Sequence, residues 1–274
     1  RYPEGFDLDA ALTKVKLQTN DQKLAAYGRG TEFDIPANIT FIRSASFWAT
    51  PRAGSVWFAN GWNFFDDNWK AKGSCCWDHG HVTFADKGAI FSGDPTNSKD
   101  LKGRACQMID LYIDKLLAKG VRFGVWSVLA YSGISFEKGE DVLATLQMGE
   151  DPAAGKLYEP SRAQMVFPLK GEYMTKYVAY VDLKLRKLVY MDASFKGNVS
   201  AASMNDKALE ALMPAYVEYL NALPSVADLL QNNPGTIPAV YSDAGVPISD
   251  RAYVFKRENE KNSFTQIDVT ELIG

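Results

Sequence analysis

Between Glu32 and Met191 the chain is a succession of short β-branched and aromatic runs, separated by Gly, Asn, Asp and Pro. Runs of this kind bounded by turn formers predict strands at 39–48, 55–65, 69–77, 82–91, 122–131, 164–169, 177–183 and 187–192. Phe58, Trp62 and Phe64 fall on one side of such a strand, because side chains alternate across a pleated strand with period two. Asp66-Asp67-Asn68 reads as a hairpin turn, since Asp and Asn tolerate left-handed backbone and hydrogen-bond their own chain. Asp182 to Arg186 joins the last two strands in the same way. Residues 106–119 read as a strand around Met108 to Leu111 that feeds a short helix. Many strands at this spacing predict a mainly β chain, an antiparallel two-sheet β-sandwich, with a barrel as the other all-β solution.

Helical patterns flank the strands. Leucines and alanines recur at helical spacing from Phe6 to Ala26 behind Asp9 as N-cap, until Gly28, Gly30 and Thr31 break the pattern. After Asp192, Asn205 or Asp206 caps a run to Leu223, Pro224 and Ser225 restart it, and Asn233-Pro234-Gly235 ends it. The remainder is polar, with one strand expected at 252–256. The organisation expected is a lead-in helix and linker at 1–31, a sandwich at 32–192, and a C-terminal helical extension and tail at 193–274.

Charge narrows the function classes. Lys and Arg number 30 against 33 Asp and Glu in 274 residues, so the basic excess that neutralises a phosphate backbone is missing and nucleic acid is not an expected partner. Apolar runs such as 125–131 fall short of the roughly 18 residues of a membrane helix, so no membrane is expected. Cys75, Cys76 and Cys106 form no even framework, and neighbours in a strand point to opposite faces, which fits a reducing cytoplasm. The start at Arg1 suggests a processed form or a piece of a longer chain. With two histidines, and without a serine-hydrolase elbow, P-loop, dinucleotide fingerprint or zincin helix, an enzyme is not expected.

Asp78-His79-Gly80-His81 beside Cys75 and Cys76 collects metal-capable side chains but lacks a second ligand pair, and reads as a turn with two exposed histidines. From Asp94 to Asp100 oxygen side chains alternate as in a calcium loop. An EF-hand fails there, because Lys99 stands where glycine is needed and Ala105 where a bidentate Glu is needed. Lys99, Lys102 and Arg104 repel a dication, so any calcium held by Asp94 and Asp100 is expected to bind weakly. Asp192-Ala193-Ser194 resembles the start of the metal-dependent adhesion motif of von Willebrand A domains, but Lys196 replaces its last serine, and it reads as an edge strand ending in a polar turn. The loops bearing Tyr131, Phe136, Glu159 and Arg162 are expected to gather at one end of the sandwich as a protein-binding surface. The competing expectation is a purely structural Glu159–Arg162 contact.

The order of several motifs resembles the TerD-like (tellurium-resistance) domain: Phe41 to Ala45, Trp62 to Lys70, Gly88 to Asp94, and Met108 to Leu111 ahead of Gly120 to Phe123. Tyr131-Ser132-Gly133, Tyr158-Glu159-Pro160-Ser161-Arg162 and Leu188 to Asp192 look like the version carried by large multidomain bacterial stress-system proteins. The resemblance implies a two-sheet antiparallel sandwich that commonly binds calcium at acidic loops at one end and takes part in tellurite and other stress responses without known catalysis. Asp94 matches the Ser-Gly-Asp loop and Asp100 part of the acidic run after it, whereas Lys102-Gly103-Arg104 replaces consecutive acids. The function expected is therefore a non-enzymatic interaction or scaffold module of a bacterial stress-response, defence or phage-related assembly. Its partners would be other proteins or other domains of a longer chain, with no cofactor. One alternative is a calcium-binding tellurite or stress-resistance protein using Ca2+ at Asp94 and Asp100. The other is a hydrolase with a dispersed site, which requires His79 or His81 to face a nucleophile in a pocket.

Overall fold

The aromatic alternation is realised in strand β3 (Phe58–Phe65), whose inner residues lie between two sheets. The computed structural model describes residues 13–19, 21–22, 27–49, 56–93, 104–149 and 163–232. The chain divides into one unit of residues 32–221 and a second formed by 1–31 with 222–274. In the larger unit the strands, in chain order, are β1 (Glu32–Asp34), β2 (Phe41–Ala49), β3, β4 (Ala71–Cys75), β5 (Thr83–Phe84), β6 (Ala89–Phe91), β7 (Arg104–Tyr112), β8 (Phe123–Ala130), β9 (Glu140–Gly149), β10 (Met165–Pro168), β11 (Thr175–Asp182) and β12 (Lys187–Phe195). They form two six-stranded sheets, ordered β1-β12-β11-β8-β3-β4 and β10-β9-β2-β7-β6-β5. Every pairing is antiparallel, which gives the expected two-sheet sandwich.

Indole stacking and a closed polar network lock the two sheets together. Trp62 and Trp126, cross-strand partners, stack with centroids 5.9 Å apart. The indole N–H of Trp62 donates to Ser44 Oγ at 2.7 Å and that of Trp126 to Asn60 Oδ1 at 2.7 Å. Asn60 Nδ2 donates in turn to the Ser44 carbonyl at 3.1 Å, and its backbone N–H to Gln107 Oε1 at 2.9 Å. A buried polar atom left unpaired costs about 1–3 kcal/mol, so this network discriminates strongly against other registers. Gly124 leaves room for it, since a Cβ there would lie 3.1 Å from the Trp62 ring.

Several elements differ from the sequence expectation, each for a local reason. The run at 69–77 begins later, at Ala71, because Asp66 Oδ1 accepts from the N–H groups of Asn68 and Lys70 and turns Trp69 to φ 61°. The run at 82–91 is a hairpin, β5 and β6, around Ala85, Asp86 and Lys87, all left-handed at φ 53°, 52° and 63°. β9 was not among the expected strands. Its Leu, Ala, Gln and Met favour helix, yet Val142, Ala144, Thr145 and Leu146 are buried, and pairing with β2 and β10 overrides local preference. β12 is not an edge strand, because β1 pairs with its first residues on the side away from β11. The strand feeding a short helix appears as β7 followed by α1 (Ile113–Ala118).

The outer face of the first sheet is covered by α2 (Asp206–Ala222) and the turn of 3-10 helix before it, Ala202–Asn205. Leu209, Met213 and Leu220 are the buried side of this helix. Asn63 Nδ2 donates to the Ala202 carbonyl at 2.8 Å and to Asp206 Oδ1 at 2.7 Å. Gly61 permits this seat, because a Cβ there would stand 2.4 Å from the Ala202 methyl. Glu210 accepts from the Ala71 N–H at 2.6 Å, which occupies a main-chain donor on edge strand β4 that would otherwise invite another strand.

In the second unit the expected lead-in helix is confined, among the described residues, to Thr13 and Lys14. Val15-Lys16-Leu17 is extended instead: Lys16 bridges Ser225, the Leu17 N–H donates to the Pro224 carbonyl, and Val15 and Leu17 pack on Val226 and Ala227. Two apolar residues flanking a lysine suit strand alternation as well as helical spacing, and this packing selects the strand. Helix α3 (Val226–Asn232) starts with reciprocal caps. Ser225 Oγ accepts from the Asp228 N–H at 3.1 Å, while Asp228 Oδ2 accepts from the Ser225 N–H at 2.8 Å. The strand expected at 252–256 lies outside the described residues.

Candidate interaction surface

Strands β8, β11 and β12 bring their ends together at one end of the first sheet. The Ala130 N–H donates to the Met174 carbonyl at 2.7 Å, and the Met174 N–H to Phe195 at 2.9 Å. Tyr131 follows directly, 46 % exposed, and the chain turns back through Gly133 at φ 73°. Ser132 fixes this turn by accepting from the Trp57 N–H at 2.7 Å. The Tyr131 ring meets Trp77 edge-on at 5.1 Å. Trp77 is itself held, its indole N–H donating to the Ser200 carbonyl at 2.9 Å. Ser200 Oγ donates to the sulfur of Met204, which is 68 % exposed. Tyr131 and Trp77 thus form an aromatic pair on a fixed backbone, Ser200 ties this pair to the exposed Met204, and Tyr173 and Phe195 are exposed at the same sheet end.

Of the expected surface residues, Tyr131 is exposed and Phe136 is not. Phe136 is 2 % exposed and packs on Phe58 at 5.7 Å, so its ring belongs to the core rather than to a surface. Its turn still serves the surface. The Phe136 N–H donates to the Tyr173 carbonyl and the Glu137 N–H to Gly171, which fixes the loop that carries Tyr173. Glu159 and Arg162 lie outside the described residues, as do Asp94 and Asp100. Trp77 and Met204 were missed: Trp77 reads as the end of a strand, and the bend that brings Ser200 to it is non-local.

Groups with other chemistry have structural partners. His79 is exposed on a turn closed by the His81 N–H and the Asp78 carbonyl at 2.9 Å, with Gly80 at φ 86°. His81 Nδ1 lies 2.9 Å from Ser74 Oγ, a pairing that a hydrolase would use. However, Ser74 is 2 % exposed on β4, where no substrate carbonyl can reach its hydroxyl. Burial pushes the Cys75 and Cys76 thiols up and Cys106 to about 11, which keeps them protonated and poor metal ligands. Asp192 and Ser194 share the Lys176 ammonium, so a cation already sits where the adhesion-motif reading would place a metal. Among the described residues no group of three or more His, Cys, Asp or Glu can hold a metal ion, and no helix is long and apolar enough to cross a membrane. The donors implied for calcium are two carboxylates, one of them between Lys99 and Lys102, too few to fit a hard dication without further oxygens.

No family model and no curated protein matches the chain. Solved structures similar to it include these two. One is an unknown-function protein, SAV2460, at 12 % identity and TM-score 0.46, over 60 % of this chain and 94 % of that one. The other is a homologue of telluride resistance protein (TerD), SCO6318 from Streptomyces coelicolor A3(2), at 8 % identity and TM-score 0.46, over 61 % and 95 %. The likeness concerns fold alone. The second carries the family name to which the order of motifs pointed.

Proposed function

We propose that this chain is a non-enzymatic protein-interaction module whose working surface is the Tyr131–Trp77–Met204 patch. The observation that carries the reading is an exposed tyrosine held edge-on against a tethered tryptophan. Rigid, amphipathic aromatic rings lose little conformational freedom on binding, and Trp and Tyr are enriched among residues that dominate interface energies. The TerD-like order of motifs supports a role for such a module in a bacterial stress-response, defence or phage-related assembly, and the reading includes the cytoplasm as its compartment. Its partners are other proteins or other domains of a longer polypeptide.

The test compares wild type, Tyr131→Ala and Tyr131→Phe in affinity capture from the native cell, with thermal unfolding measured in parallel. Tyr131→Ala should lose the partner that wild type recovers, while its midpoint moves by less than about 2 °C. Tyr131→Phe, which keeps the ring, should retain most of it. A midpoint lowered by several degrees with unchanged recovery would assign Tyr131 to the scaffold.

A further inference from the structure

Helix α2 has two apolar sides, and only one of them is used. Leu209, Met213 and Leu220 face the first sheet, and the acids Asp206 and Glu210 are committed to Asn63 and the Ala71 N–H. On the opposite side Ala208, Ala211 and Ala215 are exposed. Leu212 at 46 % and Tyr219 at 42 % exposure flank this row on one side. Lys207 and Glu218 flank it on the other, and neither has an ion-pair partner among the described residues. At about 100° per residue, Lys207, Glu218 and the exposed Pro214 lie on one edge of the face, the alanines along its middle, and Leu212 and Tyr219 on the other edge.

We infer that this face pairs with the same face of a second copy of the chain, the two helices antiparallel about a two-fold axis near residue 213. The arrangement is self-complementary, as an isologous interface must be. A two-fold perpendicular to both helices keeps each edge against its own copy. Lys207 then comes level with Glu218 of the other copy, twice over, because the two residues lie almost equally far from the axis along the helix. Ala211 meets Ala215 of the other copy and lets the backbones approach closely. The two Leu212 side chains meet beside the axis on the other edge. A second copy is favoured over an unrelated partner because the charged pair Lys207 and Glu218 and the small pair Ala211 and Ala215 share one centre on the helix, so a single two-fold axis serves both. A single helix face of about 25 Å by 10 Å buries less than a standard interface, so the dimer is weak and concentration-dependent.

The experiment is sedimentation velocity on the full chain across a concentration series, with circular dichroism to confirm folding of each variant. The wild type should shift from monomer to dimer as concentration rises towards a few hundred micromolar. Lys207→Glu and Glu218→Lys each place like charges together at both ends and should weaken association at least about fivefold. Mixing these two variants in equal amounts restores both attractive pairs in the heterodimer and should recover the wild-type mass. Ala215→Arg should abolish association, since the close approach is lost. A wild type that stays monomeric at a few hundred micromolar, or dimers indifferent to these substitutions, would overturn the inference. It is independent of the Tyr131 surface, whose variants should dimerise as wild type does.

Discussion

The two faces of β3 each carry an asparagine, and the two are treated very differently. On the inner face, Asn60 uses both ends of its amide, donating to Ser44 and Gln107 and accepting from Trp126. On the outer face, Asn63 donates to Ala202 and Asp206, but its Oδ1 has no hydrogen-bond partner among the described residues, and the same holds for Ser127 Oγ and Asn205 Nδ2 nearby. A closed buried network specifies one arrangement, whereas a partly satisfied one holds its parts less firmly. The inner face therefore fixes how the sheets pair. The outer face attaches a helix and the Trp77 turn, and it is there that the chain presents rings and thioether to solvent.

The largest expected effect sets these asparagines against each other. Asn60→Leu strands the Trp126 N–H and the groups on Ser44 and Gln107, and should cost about 3 kcal/mol or more in urea unfolding. Asn63→Leu removes two donated bonds together with the unpaired Oδ1, and should cost about 1 kcal/mol. Equal losses would break the distinction between the faces.

A smaller effect sharpens it through pH. Burial at the foot of the helix, against β3, raises the Asp206 pKa above the ordinary carboxylate value, although the hydrogen bond from Asn63 and the charge of His81 act against this. The folded state then holds the Asp206 proton more tightly than the unfolded chain. That contribution is present at low pH and is lost as pH rises through the folded pKa. Asp206→Asn should approach wild-type stability at low pH and exceed it at pH 7. A variant less stable than wild type at pH 7, and no closer to it at pH 4, would show that the carboxylate is wanted ionised.

Least in expected magnitude is calcium. With Lys99 and Lys102 beside Asp100, calorimetry should show a dissociation constant no tighter than about 0.1 mM. A tight site lost in Asp94→Ala would restore the calcium-binding alternative.

What was legible in the sequence was local. Asp66 and Asp182 close their turns through their own carboxylates, Ser225 restarts the helical pattern as the cap of α3, and the alternation of Phe58, Trp62 and Phe64 is the inner face of β3. Where partners came from far along the chain, the pattern was mute. β9 is a strand because of β2 and β10, and Val15 to Leu17 is extended because of Ser225. Tyr131 and Phe136 look alike as aromatic residues near turns, yet Phe58, more than seventy positions away, draws one inward and leaves the other exposed. The residues of the proposed surface differ in the same way: Tyr131 follows a strand visibly, whereas Met204 is tied to Trp77 only through Ser200.

The most direct test of an interaction surface on the outer side of this sheet is hydrogen exchange of the full chain, alone and with the protein that wild type captures. Protection should appear in the segments holding Trp77, Tyr131 and Met204, with β2, β7 and β9 of the second sheet unchanged. Protection confined to the second sheet, with those three segments exchanging as in the free chain, would contradict the account.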